Sequence, residues 1–141
     1  MDISIVVPVF NEEAFVKQSL TSLLNQTYPA KQLVVVDDGS TDNSVVIIRK
    51  LADAYPNLNL ITSDKASTHA PGEKVVRAFM RGFDVLSADW DVVCKFDADI
   101  LFPDNYLEKL NYAFNSNDKL GMFGGLLTIP NKDAWEVESI S

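Results

Sequence analysis

Residues 3–12 read Ile3-Ser4-Ile5-Val6-Val7-Pro8-Val9-Phe10-Asn11-Glu12, and this stretch decides the fold. Ile3 to Val9 is almost wholly apolar and β-branched. That suits a strand buried on both faces, since a strand with one face in water would alternate apolar with polar side chains. After it, Asn11 is placed to cap a helix whose apolar positions Val16, Leu20, Leu23 and Leu24 recur at helical spacing. Tyr28-Pro29 ends that helix, because the residue before a proline is pushed out of the helical region.

The same alternation continues outward. Leu33 to Val36 reads as a second buried strand, broken by Asp37-Asp38-Gly39-Ser40-Thr41-Asp42, and a helix follows through Val45, Ile48, Leu51 and Ala52. Leu58 to Thr62 reads as a third strand. A polar loop from Ser63 to Pro71 leads to a helix carrying Val75, Phe79, Phe83 and Leu86 on one face. Asp91 to Phe96 is the fourth strand, ended by Asp97-Ala98-Asp99. Pro103-Asp104 opens a helix with Leu107, Leu110 and Phe114 inward, proline being favourable at a first helical position. Gly121 to Ile129 reads as a last strand. Strands and helices in strict alternation predict an α/β doubly wound fold: a mainly parallel sheet with helices on both faces.

Length and charge bound the function. The 141 residues make one domain, 1–141, and no repeat or linker divides them. Twelve Lys and Arg stand against 20 Asp and Glu, a net charge of −8 that argues against nucleic acid as a partner. A phosphorylated small molecule is compatible with that charge if a cation sits between the two. Cys94 and His69 are the sole residues of their types, which excludes a disulfide framework and a Cys- or His-rich metal site. No run reaches the ~20 apolar residues of a spanning helix, and Met1 to Phe10 lacks the basic head of an export signal. A cytoplasmic setting is the expectation.

In an open parallel sheet, ligands bind outside the carboxyl ends of the strands. The residues there are Phe10-Asn11-Glu12, Asp37-Asp38 and Asp97-Ala98-Asp99, so several carboxylates converge on one rim. Like charges raise one another's pKa unless they are neutralised. Mg²⁺ or Mn²⁺ does this with oxygen ligands, completing its shell with substrate phosphates. Asp-Gly-Ser sequences also simply form turns. Lys74 and Arg77, one turn apart at a helix start, are candidates to meet phosphates. Phosphate-binding P-loops and the G-x-G-x-x-G fingerprint are absent, as is the G-x-S-x-G elbow of serine hydrolases.

Four segments together resemble a known family: Ile5-Val6-Val7-Pro8-Val9-Phe10-Asn11-Glu12, Gln26-Thr27-Tyr28-Pro29, Val36-Asp37-Asp38-Gly39-Ser40-Thr41-Asp42 and Phe96-Asp97-Ala98-Asp99. In order and interval they look like the family 2 glycosyltransferases of the GT-A, Rossmann-like fold. The resemblance implies inverting transfer of a sugar from a nucleotide-diphosphate donor, a UDP-sugar favoured, to a glycan or lipid-linked acceptor. It implies that Pro8 and Asn11 line the nucleotide pocket, that Asp38 hydrogen-bonds the base, and that Asp97 and Asp99 form the D-x-D element for ribose and metal-bound diphosphate. A lipid-linked acceptor would place the protein at the inner face of the membrane.

Departures from the family pattern lie late in the chain. At Gly72-Glu73-Lys74-Val75-Val76-Arg77-Ala78-Phe79 relatives often carry a G-x-x-x-A-R-N-like element, of which Arg77 alone keeps its place. The expected acceptor-side part and catalytic base do not follow, so the chain reads as a truncated, donor-binding half with Glu136 and Glu138 as the candidate bases. A sheet edge exposed there predicts self-association as a homo-oligomer. Two other readings compete. A phosphoreceiver domain shares the length and alternation, but would carry its acidic pair after the first strand. A non-catalytic nucleotide-sugar-binding protein shares every motif up to Asp99. A sugar-nucleotide pyrophosphorylase would need a Gly-rich, Arg-containing loop after the first strand, which this chain lacks.

Overall fold

Strand β1 (Ile3–Val9) is buried at every position but Pro8, as its composition requires. In the computed structural model, which describes residues 1–63, 70–131 and 134–137, it lies inside a four-stranded sheet of order β3-β2-β1-β4. The others are β2 (Gln32–Asp37), β3 (Leu58–Thr62) and β4 (Val92–Lys95), and every pairing is parallel. Helices α1 (Val16–Leu24), α2 (Ser44–Ala54), α3 (Pro71–Asp84) and α4 (Tyr106–Ser116) complete the alternation.

Successive side chains of a strand point to opposite faces, so two cores form. Ile3, Ile5, Val7 and Val9 join Leu33 and Val35 against Val16, Leu20 and Leu23 of α1, Ile48 of α2, and Leu107 and Leu110 of α4. On the other face Val6, Val34 and Val36 pack against Ala78 of α3. The doubly wound reading is therefore what the chain adopts, with helices on both faces.

Four details differ from the sequence expectation. Asn11 does not cap α1: Phe15 stands at that position without a side-chain bond. Asn11 instead bonds across to the loop after β2. Pro103 is not in the first turn of α4, which begins at Tyr106. There the buried amide of Gln26 intervenes, taking the N–H of Leu107 on its Oε1 (2.8 Å) and donating from Nε2 to the carbonyl oxygens of Pro103 (2.6 Å) and Ser22 (2.9 Å). One buried amide thus ties α1 to the start of α4 and leaves none of its own polar atoms unpaired.

The third difference is the inward face of α3. Ala78 and Gly82 meet the sheet, while Val75 is partly exposed. A Cβ on Gly82 would stand 2.5 Å from Val6 Cγ1 and 2.8 Å from Val36 Cγ2, so the small pair at i and i+4 lets the helix backbone close on the strands. The fourth is the last strand. Residues 121–127 form no strand, and β5 (Thr128–Asn131) pairs antiparallel with β6 (Ala134–Val137) in a separate two-stranded sheet. Three glycines in residues 121–125 weaken strand formation there. Gly125 packs against Tyr106 instead: a Cβ at that glycine would lie 2.9 Å from the Tyr106 ring.

Cys94 packs in the larger core, where burial pushes its thiol up to about 12. The thiolate is the reactive form. Ellman's reagent at pH 8 is accordingly expected to leave the native protein almost unlabelled for hours and to titrate one thiol within minutes in guanidinium chloride. Rapid labelling of the native protein would contradict this packing.

Candidate functional site

The strand order reverses between β1 and β4: the chain moves from β1 out to β3, then returns to the other side of β1. A crevice at the carboxyl ends is expected at such a switch, and Pro8 helps to open it. Neighbouring residues of a parallel strand turn their peptide groups to alternate sides. Val6 accepts the N–H of Phe96 (3.2 Å) on the β4 side, and Val9 accepts that of Asp38 (2.9 Å) on the β2 side. Pro8 thus faces β4, with no N–H to offer just where the β1–β4 register has ended at Val6 and Lys95.

A cavity of about 440 Å³ occupies this crevice. Pro8, Val9 and Phe10 line it from the end of β1, and Pro71, Lys74, Val75 and Ala78 from α3. Four carboxylates join them: Glu12, Asp38, Asp97 and Asp99. The Lys74 ammonium lies 5.4 Å from the centroid of the exposed Phe10 ring, a cation–π contact.

The carboxylates differ in their surroundings. Asp38 is buried, yet lines the cavity. Its neighbour Asp37 turns into its own loop: Oδ2 accepts the N–H groups of Gly39 and Ser40, both at 3.1 Å, and Oδ1 the Ser40 hydroxyl. Gly39, at φ 78, supplies the left-handed residue of that turn. Asp97 pairs with Lys95 (2.6 Å), both exposed, whereas no cation pairs with Asp99 among the described residues. Burial, then the negative charges of Asp99, Asp42 and Asp97, raise the Glu12 carboxyl above its ordinary range.

A negative field that lifts a carboxyl's proton affinity also favours a hard cation. Among the described residues no three His, Cys, Asp or Glu side chains converge tightly enough to cage one. The donor set suits instead the Mg²⁺ or Mn²⁺ habit of one or two carboxylates completed by phosphate oxygens.

The structure brings Pro8, Phe10, Glu12, Asp38, Lys74, Asp97 and Asp99 together around the cavity, with Val9, Pro71, Val75, Ala78 and Ala98 as lining that the sequence reading did not single out. The small pair Ala78 and Gly82 was the available signal for where α3 approaches. Asn11, Asp37 and Arg77 do not line it; Arg77 is exposed on α3. Glu136 lies in β6, its side chain outside the described residues, as are all of Glu138 and His69.

A parallel sheet with helices on both faces and an acidic crevice at its switch point defines a doubly wound α/β domain. The family model for glycosyl transferase family 2 matches residues 4–139, and the chain belongs to that family. A Haemophilus influenzae protein described as an uncharacterized glycosyltransferase is 32% identical over 116 residues, 82% of this chain and 43% of that protein. The structure of S. aureus TarS 1-349 in complex with UDP superposes with a TM-score of 0.68 at 27% identity, covering 82% of this chain and 32% of that one. A mannosyltransferase from Pyrobaculum calidifontis, in complex with GDP-Man and Mn²⁺, gives 0.55 at 27% identity over 72% of this chain and 28% of that one. The chain thus spans less than half the length of these relatives.

Proposed function

We propose that this chain is the donor-binding part of an inverting glycosyltransferase. It takes a sugar from a nucleotide diphosphate, UDP favoured, and delivers it to a glycan or lipid-linked acceptor with the assistance of Mg²⁺ or Mn²⁺. The observation that carries this is the crevice at the β1–β4 switch, where Asp38, Phe10, Lys74, Asp97 and Asp99 meet. Complexes of relatives with UDP and with GDP-Man plus Mn²⁺ support the ligand class. A cytoplasmic setting, at the inner membrane face for a lipid-linked acceptor, belongs to the same proposal; among the described residues no helix is long and apolar enough to cross a membrane.

In this reading Asp38 accepts the N3–H of uracil, a directional, charge-assisted hydrogen bond. The Phe10 ring gives the base an apolar face, and Lys74 leaves that ring to meet the diphosphate. Asp97 orients the ribose and, with Asp99, holds the metal, which supplies Lewis-acid stabilisation of the departing diphosphate. The acceptor hydroxyl attacks the anomeric carbon on the face opposite the leaving group, so configuration inverts and a general base must take the hydroxyl proton. Glu136 and Glu138 are the proposed candidates for that base.

Calorimetric titration with UDP, with Mn²⁺ and then with EDTA, tests the reading. Binding that is stronger with Mn²⁺ is expected, with GDP and dTDP weaker. No binding of any of the three by protein shown folded by circular dichroism would overturn it.

A further inference from the structure

Asn11 carries a signature that the nucleotide reading leaves unexplained. It is the one non-glycine residue with positive φ among the described residues, at 50°. A short amide side chain tolerates that conformation better than most, but it costs energy that neighbouring bonds must offset. Those bonds all run to one place. The Asn11 Oδ1 accepts the N–H of Thr41 (2.8 Å) and of Asp42 (3.3 Å), and its own N–H donates to Ser40 Oγ (2.9 Å). The next two residues continue the seam, Glu12 N–H to Ser44 Oγ (2.9 Å) and Glu13 N–H to Asp42 Oδ2 (3.1 Å). With two N–H donors on Oδ1, the acceptor capacity of the amide is spent within the protein.

This seam joins the loop that carries Phe10 to the loop that carries Asp38, and those two face the same cavity. We propose that Asn11 is a positioning residue. Its side chain straps the β1 loop to the β2 loop and so fixes the spacing of the Phe10 ring and the Asp38 carboxylate, without touching the nucleotide. The role rests on the nucleotide reading above.

Two variants separate strap from contact. Asn11→Gly accepts the left-handed backbone without strain but has no strap, whereas Asn11→Asp keeps the Oδ1 acceptor and the tolerance of positive φ. Asn11→Gly is expected to weaken UDP binding about tenfold, the loss of roughly two net hydrogen bonds, and Asn11→Asp to stay within about threefold of the parent. Amide exchange at Thr41 and Asp42 should accelerate in the first variant and not in the second. In an Asp38→Ala background Asn11→Gly should cost little further affinity, since the carboxylate it positions is gone.

Parent-like UDP binding by Asn11→Gly would overturn the strap. So would Asn11→Asp binding as poorly as Asn11→Gly while the Thr41 and Asp42 amides stay protected, which would mark a direct ligand contact, or full additivity with Asp38→Ala. Failure of the parent protein to bind UDP, GDP or dTDP is a separate result: it removes the nucleotide reading, and this role with it.

Discussion

Asp38→Ala is expected to weaken UDP binding about 10- to 150-fold, equally in Mn²⁺ and in EDTA, because a hydrogen bond to a charged group is worth roughly 1.5–3 kcal/mol. Asp38 is buried at the cavity with its backbone N–H committed to Val9, so its carboxylate is held where a base edge would meet it. Asp99→Ala should behave differently. Asp99 has no cation beside it among the described residues and contributes to the raised proton affinity of Glu12. Its loss should abolish the Mn²⁺-dependent increment and leave metal-free affinity nearly unchanged. Isothermal calorimetry on both variants, with circular dichroism as the check on folding, reads the two effects separately. The same change in both media for both variants would sink the division of labour between base and diphosphate ends.

Gly82→Ala is expected to lower stability and donor affinity together. The added methyl would meet Val6 Cγ1 at 2.5 Å and Val36 Cγ2 at 2.8 Å. Both valines are fully buried and β-branched, so neither can swing aside. Overpacking typically costs about 1–3 kcal/mol, against the up to ~1 kcal/mol that alanine returns over glycine in a helix. A net loss on the order of 1–2 kcal/mol should lower the melting temperature by several degrees. Because Lys74, Val75 and Ala78 line the cavity from the same helix, lifting α3 should also weaken UDP binding. Gly72→Ala, whose Cβ meets nothing within 4 Å, is the control and should be neutral. A Gly82→Ala protein as stable as the parent would show that α3 does not seat as closely as described.

The acidic residues show where sequence reading stops. Position after a buried strand singled out Asp37 and Asp38 equally, since both follow Val36 in a turn-forming run. The fold separates them. Asp37 is consumed by the N–H groups of Gly39 and Ser40, as a turn former is, and Asp38 is left to the cavity. Asn11 was expected to cap α1 or to line the pocket, because an Asn after a strand suits either task. Its amide in fact bonds the loop after β2, a partner 30 residues away that local pattern cannot reveal.

The sequence by itself determined the order and type of the main elements, because burial on both faces leaves a mark in composition: β1 is apolar at nearly every position, and the helices carry their stripe at a period of 3.6. It also determined which strand ends carry carboxylates. Only the tertiary structure decided the rest. That residues 121–127 form no strand was not legible, because Gly125 lies against the Tyr106 ring rather than beside a strand partner. The small pair Ala78 and Gly82 marks the face of α3 that approaches, but how close it comes depends on Val6 and Val36 standing beneath Gly82. Each of these is a contact between residues far apart in sequence, whose energy depends on distance in space and leaves no period along the chain.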